Sequence, residues 1–364
     1  MLKSSEREYA AMSLEAEVSA MLSDYAAAVE KAVEEIVPKT TDTAYLLRWF
    51  GQPVFRYSPE SLTEGLSKPF WELFRRGGKR WRPALTLITY EALGGKASDI
   101  YQAAAIPEII HNATLIVDDV EDGSLYRRGG PCIHRIYGVD VAVNAGNAFY
   151  YIPVYLVAKQ TDETKAGKLL EKYVEMMVKL SLGQTMDIVW HRGLVTDVTE
   201  EHYLQMACFK TGALSRFAVE LAAIYAGRLE LLTDLGRFGE AVGVAFQIQD
   251  DYLNIFGDEA KYGKEIGGDI TEGKHTLMTV YALRHLPPEK SKRLREILSM
   301  HTSEQNMIAE AIQLIKQSGA GEYARNVSKK IISEAWAQID PLLPPSEAKE
   351  KLNKLATFLV ERTL

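Results

Sequence analysis

Asp118, Asp119 and Asp122 place carboxylates at positions i, i+1 and i+4 within a long apolar stretch. Asp250, Asp251 and Asn254 repeat that oxygen spacing 132 residues later. On a helix, residues four apart share a face, and like charges there repel by a few tenths of a kcal/mol per pair. Burial adds to the cost. A chain that crowds carboxylates twice needs positive charge to offset them. Because the donors are all oxygens, a hard cation is implied, and magnesium with a phosphorylated substrate is the natural candidate. A lone DDxxD at a solvated helix end would carry no such meaning, but here Leu115, Ile116 and Val117 precede the acids.

The basic residues complete this pattern. Gly123 offers a stop to the first helix, and Arg127-Arg128-Gly129-Gly130 follows in the next loop. Paired arginines beside metal-binding acids suit forked contacts to diphosphate oxygens. Gly77-Gly78-Lys79-Arg80-Trp81-Arg82-Pro83 sets three cations on a turn that opens a helix, which is an anion site. The GxxxxGK[ST] phosphate loop is absent. Lys210, Thr211, Lys264 and Lys274 lie near further predicted helix ends. Each of these lysines taken singly reads as a surface residue; together they answer the need of the acids for counter-ions. Gln247 falls on the face of Asp250 and Asn254 and is a site candidate, whereas Gln249 reads as structural. Asn254 offers a neutral oxygen, so the second cluster should hold a metal less tightly than the first. His111, seven residues before Asp118, shares its helix face; a hydrogen-bonded core histidine is the alternative reading. The seven histidines form no HExxH or zinc spacing, and GxSxG, a dinucleotide fingerprint and a catalytic triad are all missing.

Helices must position these groups. Apolar residues recur every three or four positions over 14–37, 102–122, 164–190, 200–226, 231–256 and 304–316, and alternating runs are scarce. Gly94-Gly95, Gly129-Gly130-Pro131, Gly257, Gly267-Gly268, Pro287-Pro288 and Pro344-Pro345 punctuate them. Ser303 and Ser346 read as helix starts, with Ser303 the closer to a capping pattern. The expected fold is all-α. Residues 41–364 read as one catalytic domain, and residues 1–40 as an N-terminal extension or extra helix. An apolar fraction of 47% supports a large core, while a net charge of −7 gives no electrostatic case for nucleic acid. No run of 18 uninterrupted apolar residues is present, so no membrane span is expected. Two cysteines, Cys132 and Cys208, fit a reducing, cytoplasmic setting.

Six ordered blocks carry a family resemblance: GGKRWRP (77–83), HNATLIVDDVEDGSLYRRG (111–129), GQTMD (183–187), KTGALSR (210–216), FQIQDDYLNIFGD (246–258) and YGKEIGGDITEGKHTL (262–277). The chain resembles the trans-isoprenyl diphosphate synthases over roughly residues 40–360, and its motifs are most similar to those of geranylgeranyl diphosphate synthases. The resemblance implies a helical bundle around an elongated apolar cavity. It implies magnesium held by Asp118 and Asp122 with Asp119 supporting, and by Asp250 with Asp251 and Asn254. Arg127, Lys210, Gln247 and Lys264 would bind an allylic diphosphate (dimethylallyl, geranyl or farnesyl), with Thr211 near the reacting carbons. Lys79, Arg82, His111 and Arg128 would bind isopentenyl diphosphate. Gln184, Asp187 and Lys274 match family positions around the pocket, and a homodimer is implied.

Product length falls to residues upstream of the first cluster. Family farnesyl synthases often carry bulky aromatics four and five residues before the first aspartate, where this chain has Thr114 and Ala113. Ideal helix geometry puts Thr114 near the Asp118 face and Ala113 about 140° away, so the expectation for Ala113 rests on the resemblance alone. Tyr150 and Tyr151 resemble aromatics that close the pocket, with ordinary core or dimer packing as the alternative. The expected product is geranylgeranyl diphosphate; farnesyl and longer polyprenyl products are the alternatives. A class I terpene cyclase is disfavoured by the isopentenyl diphosphate residues. A regulatory subunit is disfavoured by two intact acidic motifs.

Overall fold

The computed structural model describes residues 4–257 and 266–361, with side chains from residue 14 onward; Lys264 lies outside the described residues. Its longer helices are α1 (Ser4–Ile36), α2 (Trp81–Ala92), α3 (Tyr101–Glu121), α4 (Val139–Gln160), α5 (Glu163–His191) and α6 (Ala213–Tyr225). They continue with α7 (Leu232–Phe256), α8 (Pro288–Met300), α9 (Gln305–Gln317), α10 (Ala320–Ile339) and α11 (Glu347–Glu361). Among the described residues the one sheet is a hairpin of β1 (Tyr126–Arg127) and β2 (Gly130–Pro131). The fold is all-α, as the apolar periodicity predicts.

Helices α3, α4, α5 and α6 pack into one side of the bundle, and α6, α7, α10 and α11 into another. The first core is built on Ile106, Ile109, Ile110, Phe149 and Phe217. The second is built on Val219, Leu235, Phe238, Leu355 and Leu359. Helix α1 joins both: Val29, Val33 and Ile36 are buried in the first core, and Val18, Met21 and Leu22 in the second. Residue 40 therefore marks no division between separate cores.

Three local features differ from the sequence reading. The helical pattern over 200–226 is interrupted: Glu200–Ala207 and α6 flank a π-turn at Cys208–Gly212. Ser346 accepts a hydrogen bond from the Lys349 N–H at 3.1 Å, whereas α9 starts after Glu304 without a side-chain cap. Just before that start, the Thr302 hydroxyl accepts the Glu304 N–H at 3.0 Å. Finally, α4, with 22 residues, has the length and composition of a membrane-crossing helix. Ala142, Ala145, Phe149 and Val154 nonetheless bury one side of it in the bundle.

Candidate active site

A cavity of about 1630 Å³ runs into the bundle between α3, α5 and α7, and both acidic clusters line it. The first cluster reaches it because α3 stops sharply. Gly123, at φ +64°, allows the Gly123 N–H to bond the Val120 carbonyl at 3.3 Å and the Ser124 N–H to bond the Asp119 carbonyl at 3.0 Å. This is a Schellman turn, in which a left-handed glycine satisfies the last helix carbonyls. The short helix Gly268–Thr271 ends in the same way at Gly273 (φ +68°), with the Lys274 N–H on the Asp269 carbonyl at 2.8 Å. These two helix ends meet, and Lys274 Nζ lies 3.4 Å from Asp122 Oδ2.

Asp118 stands at the centre of the charge pattern. Its Oδ1 accepts from Gln184 at 2.9 Å and from Lys210 at 3.4 Å, and its Oδ2 lies 3.5 Å from Arg127. Lys210 also pairs with Asp187 at 2.5 Å. Burial alone would raise the Asp118 carboxyl, but Lys210, Lys274 and Arg127 outweigh it and hold the group well below the usual carboxylate range. Asp122 behaves differently. Burial, opposed by Lys274 and reinforced by Asp118 and Glu272, lifts it to about 6. Burial would lower Lys210, yet Asp118 and Asp187 raise it, so it stays a cation.

The π-turn supplies Lys210 and Thr211, and two helices clamp it. A β-carbon on Gly183 of α5 would lie 2.3 Å from the Lys210 backbone nitrogen, and one on Gly243 of α7 would lie 2.7 Å from the Gly212 α-carbon. Only glycine permits both approaches. Such single-turn π segments occur often at functional sites, because they change which way the next side chain points. Thr211 donates to Gln247 Oε1 at 2.6 Å, and Gln247 donates to Asp251 Oδ1 at 2.7 Å. Tyr203, which the sequence reading missed, donates to the other Asp251 oxygen at 2.6 Å. Burial, countered by these two hydrogen bonds, pushes Asp251 up to about 7.

The paired arginines sit on the hairpin. Arg128 (φ +49°) and Gly129 (φ +73°) form its two-residue turn, both in the left-handed region that a type I′ turn needs. A non-glycine residue there carries roughly 1–2 kcal/mol of strain. Arg127 pairs with the buried Asp119, with Nη2 2.5 Å and Nε 2.7 Å from one oxygen. Arg82, His111 and Arg128 line the cavity; Lys79 does not, and its Nζ lies 5.3 Å from the centre of the Phe358 ring. Burial lowers the His111 pKa well below its usual value, with Arg82 and Arg128 adding to the effect, so the ring is neutral.

The structure redistributes several sequence-predicted roles. Asp119 is fully buried and does not line the cavity; one of its oxygens anchors Arg127. Asp251 lines the cavity, but both its oxygens already accept hydrogen bonds, so it orients Gln247. Asn254 accepts the Asp269 N–H at 3.1 Å. Gln247 lines the cavity and the buried Gln249 does not. Thr114 and Tyr150 line the cavity wall. Tyr151, next along α4, is 63% exposed on the outer surface, because one residue of helix rotates it by about 100°. Ala113 is buried away from the cavity against α4, and its carbonyl would lie 3.2 Å from a β-carbon on Gly146. Neither Tyr151 nor Ala113 lines the cavity. Asp269 and Glu121 line the cavity without having been assigned a role; the GGD and DDVED blocks were the available signals.

Asp122 Oδ1 is buried with no hydrogen-bond partner. It shares the cavity with Asp118 and Asp250, and this all-oxygen set fits a hard divalent cation. Among the described residues no three acidic, histidine or cysteine side chains converge into a ready-made metal cage, so water and substrate would supply the remaining ligands.

Two acidic clusters and fixed cations thus share one cavity within a helical bundle. Residues 63–315 match the polyprenyl synthetase family. A short chain isoprenyl diphosphate synthase of Methanothermobacter thermautotrophicus is 37% identical, over 82% of this chain and 91% of that one. A geranylgeranyl pyrophosphate synthetase structure from Pyrococcus horikoshii superposes with a TM-score of 0.81 at 30% identity, covering 96% and 99% of the two chains. A geranylgeranyl pyrophosphate synthase from Corynebacterium glutamicum, complexed with isoprenyl diphosphate and magnesium, gives 0.78 at 26% identity over 92% and 98%. The chain belongs to the polyprenyl synthetase family and is an isoprenyl diphosphate synthase.

Gly183→Ala tests the clamp on the π-turn. The added methyl group is expected to displace Lys210 and to lower turnover on the order of tenfold to a hundredfold while helicity is kept. Steady-state kinetics and circular dichroism would measure it; unchanged turnover would show that the turn yields without cost.

Proposed function

We propose that this synthase condenses allylic diphosphates with isopentenyl diphosphate in the presence of magnesium and releases geranylgeranyl diphosphate. The carrying observation is the cavity itself: charged and oxygen-rich at the α3 and α7 aspartates, and walled by Val117, Met177, Leu180, Met206, Leu214 and Phe246. Its volume of about 1630 Å³ exceeds the roughly 300–1,000 Å³ of ordinary small-molecule pockets. Asp118, Asp122 and Asp250 would hold the magnesium. When bound, it would neutralise diphosphate charge as a Lewis acid.

The chain's own residues account for the rest of the reaction. Lys210, Arg127 and Lys274 meet the negative charge that grows as the allylic C1–O bond breaks and both electrons leave with the diphosphate. The π electrons of the isopentenyl double bond then form the new C–C bond. A proton leaves the neighbouring carbon for an oxygen of the departing diphosphate, which restores a double bond. Thr211, held by Gln247, sits near the reacting carbons in this reading. The apolar walls exclude water that would otherwise trap the cation as an alcohol. Arg82, His111 and Arg128 bind the isopentenyl diphosphate group in this reading; Lys79, off the cavity lining, and Lys264, outside the described residues, keep their roles from the resemblance alone.

Thr114 supports the geranylgeranyl length. It is small, lies one turn before Asp118 and lines the cavity. A homodimer is part of the same proposal. Leu170, Val174, Val178 and Leu182 form an exposed apolar stripe at four-residue spacing on α5, and Tyr151 and Tyr155 are exposed on α4. Such a stripe suits burial against a second copy. The two unpaired cysteines support a cytoplasmic setting.

Incubating the enzyme with isopentenyl diphosphate, each allylic starter and magnesium should give mainly the C20 product; a dominant C15 or C25 product would refute that length. Asp118→Ala should lower turnover about a hundredfold or more. Thr114→Phe is expected to shorten the product, whereas Ala113→Phe should destabilise the α3–α4 contact by about 1–3 kcal/mol, read from thermal unfolding. Val174→Asp should shift sedimentation from dimer to monomer, and an unchanged sedimentation coefficient would move the interface elsewhere.

A further inference from the structure

Behind the cavity arginines lies a buried network to which neither the acidic motifs nor the cation motifs assign a role. Glu108, one turn before Asn112 on α3, is 2% exposed, and Asn112 is fully buried. Glu108 Oε1 accepts from Arg80 Nη1 at 2.7 Å and from Asn112 Nδ2 at 3.0 Å. Asn112 Nδ2 also donates to the Glu108 carbonyl at 2.8 Å. These bonds fix the amide so that its oxygen faces away from Glu108, and that oxygen accepts from Arg128 Nη1 at 3.0 Å. Arg80 is tied down in turn, since its Nη2 donates to the Phe74 carbonyl at 2.7 Å.

The backbone agrees with the side chains. Arg80 and Arg128 are two of three described non-glycine residues with positive φ, both at +49°. Their guanidinium groups converge on Gly78, where a β-carbon would lie 3.0 Å from Arg80 Nη1 and 3.2 Å from Arg128 Nη2. Residues held in such sparsely populated conformations persist where the surroundings determine them and where a side chain must be aimed. Burial pushes the Arg128 pKa down to about 10, with Glu108 opposing and Arg80 and Arg127 reinforcing that shift. An arginine so placed among other cations needs a fixed acceptor on its inner side if its remaining N–H groups are to face a ligand.

We propose that Asn112, locked by Glu108 and Arg80, is the positioning residue that aims Arg128 at the diphosphate of isopentenyl diphosphate. Asn112 does not line the cavity and touches no substrate; it acts through Arg128. The inference rests on the reading of Arg128 as an isopentenyl diphosphate ligand, and the experiment separates the two.

Asn112→Ala, Arg128→Ala and the double variant would be compared with the unmodified full chain. KM for isopentenyl diphosphate, KM for the allylic diphosphate and the thermal unfolding midpoint would be measured for each. Asn112→Ala is expected to raise KM for isopentenyl diphosphate about tenfold, with little change for the allylic substrate. It should add nothing further in the Arg128→Ala background, because non-additivity marks two residues acting as one unit. Independent, multiplying effects, or an equal rise in both KM values, would overturn the positioning role and leave Asn112 a structural residue. If Arg128→Ala itself leaves the isopentenyl diphosphate KM unchanged, the underlying assignment of Arg128 fails instead.

Discussion

Charge neutrality among buried carboxylates is the constraint that organises this protein. Carboxylates from α3, α5 and α7 point into the same space, and each unpaired buried charge would cost several kcal/mol. The structure answers with Lys210 between Asp118 and Asp187, Lys274 beside Asp122, and Arg127 against Asp119. The acids are consequently unequal. Asp118 is held firmly ionised, while Asp122 and Asp251 rise toward neutrality. A pocket balanced in this way can accept extra positive and negative charge together, which is what a metal diphosphate brings.

The backbone devices around the cavity serve that balance. Two glycine-terminated helices place Asp122 and Lys274 at facing ends. A π-turn clamped by Gly183 and Gly243 supplies Lys210, and a type I′ hairpin supplies the two arginines. None of these is a long element, and all sit where longer helices end or change phase. The long helices contribute the apolar wall and hold those ends in register.

Much of this was legible in the sequence, because the chemistry depends on residue types at short spacing. The acid clusters, the Arg pair and the glycine-lysine turns could be read directly, as could the all-helical class from its periodicity. What stayed hidden depends on rotation and on distant contacts. Tyr150 and Tyr151 are adjacent in sequence, yet one turns to the cavity and the other to the surface. Asp119 and Asp118 are likewise adjacent, but only the fold shows that Arg127 claims the first. The π-turn was invisible because Gly212, its one breaker residue, lies where the helical backbone runs on into α6. Tyr203 lies in no motif, and Asn112 lies in one that gives it no role; what each does exists only through Asp251 and Arg128.

The lysine pairs of the cavity have a consequence for selectivity. Lys210 and Lys274 are already engaged by carboxylates, so an anion that takes either ammonium group must part it from an aspartate. A diphosphate that arrives with its own cation eases that exchange, because the cation offers the released carboxylates a new partner.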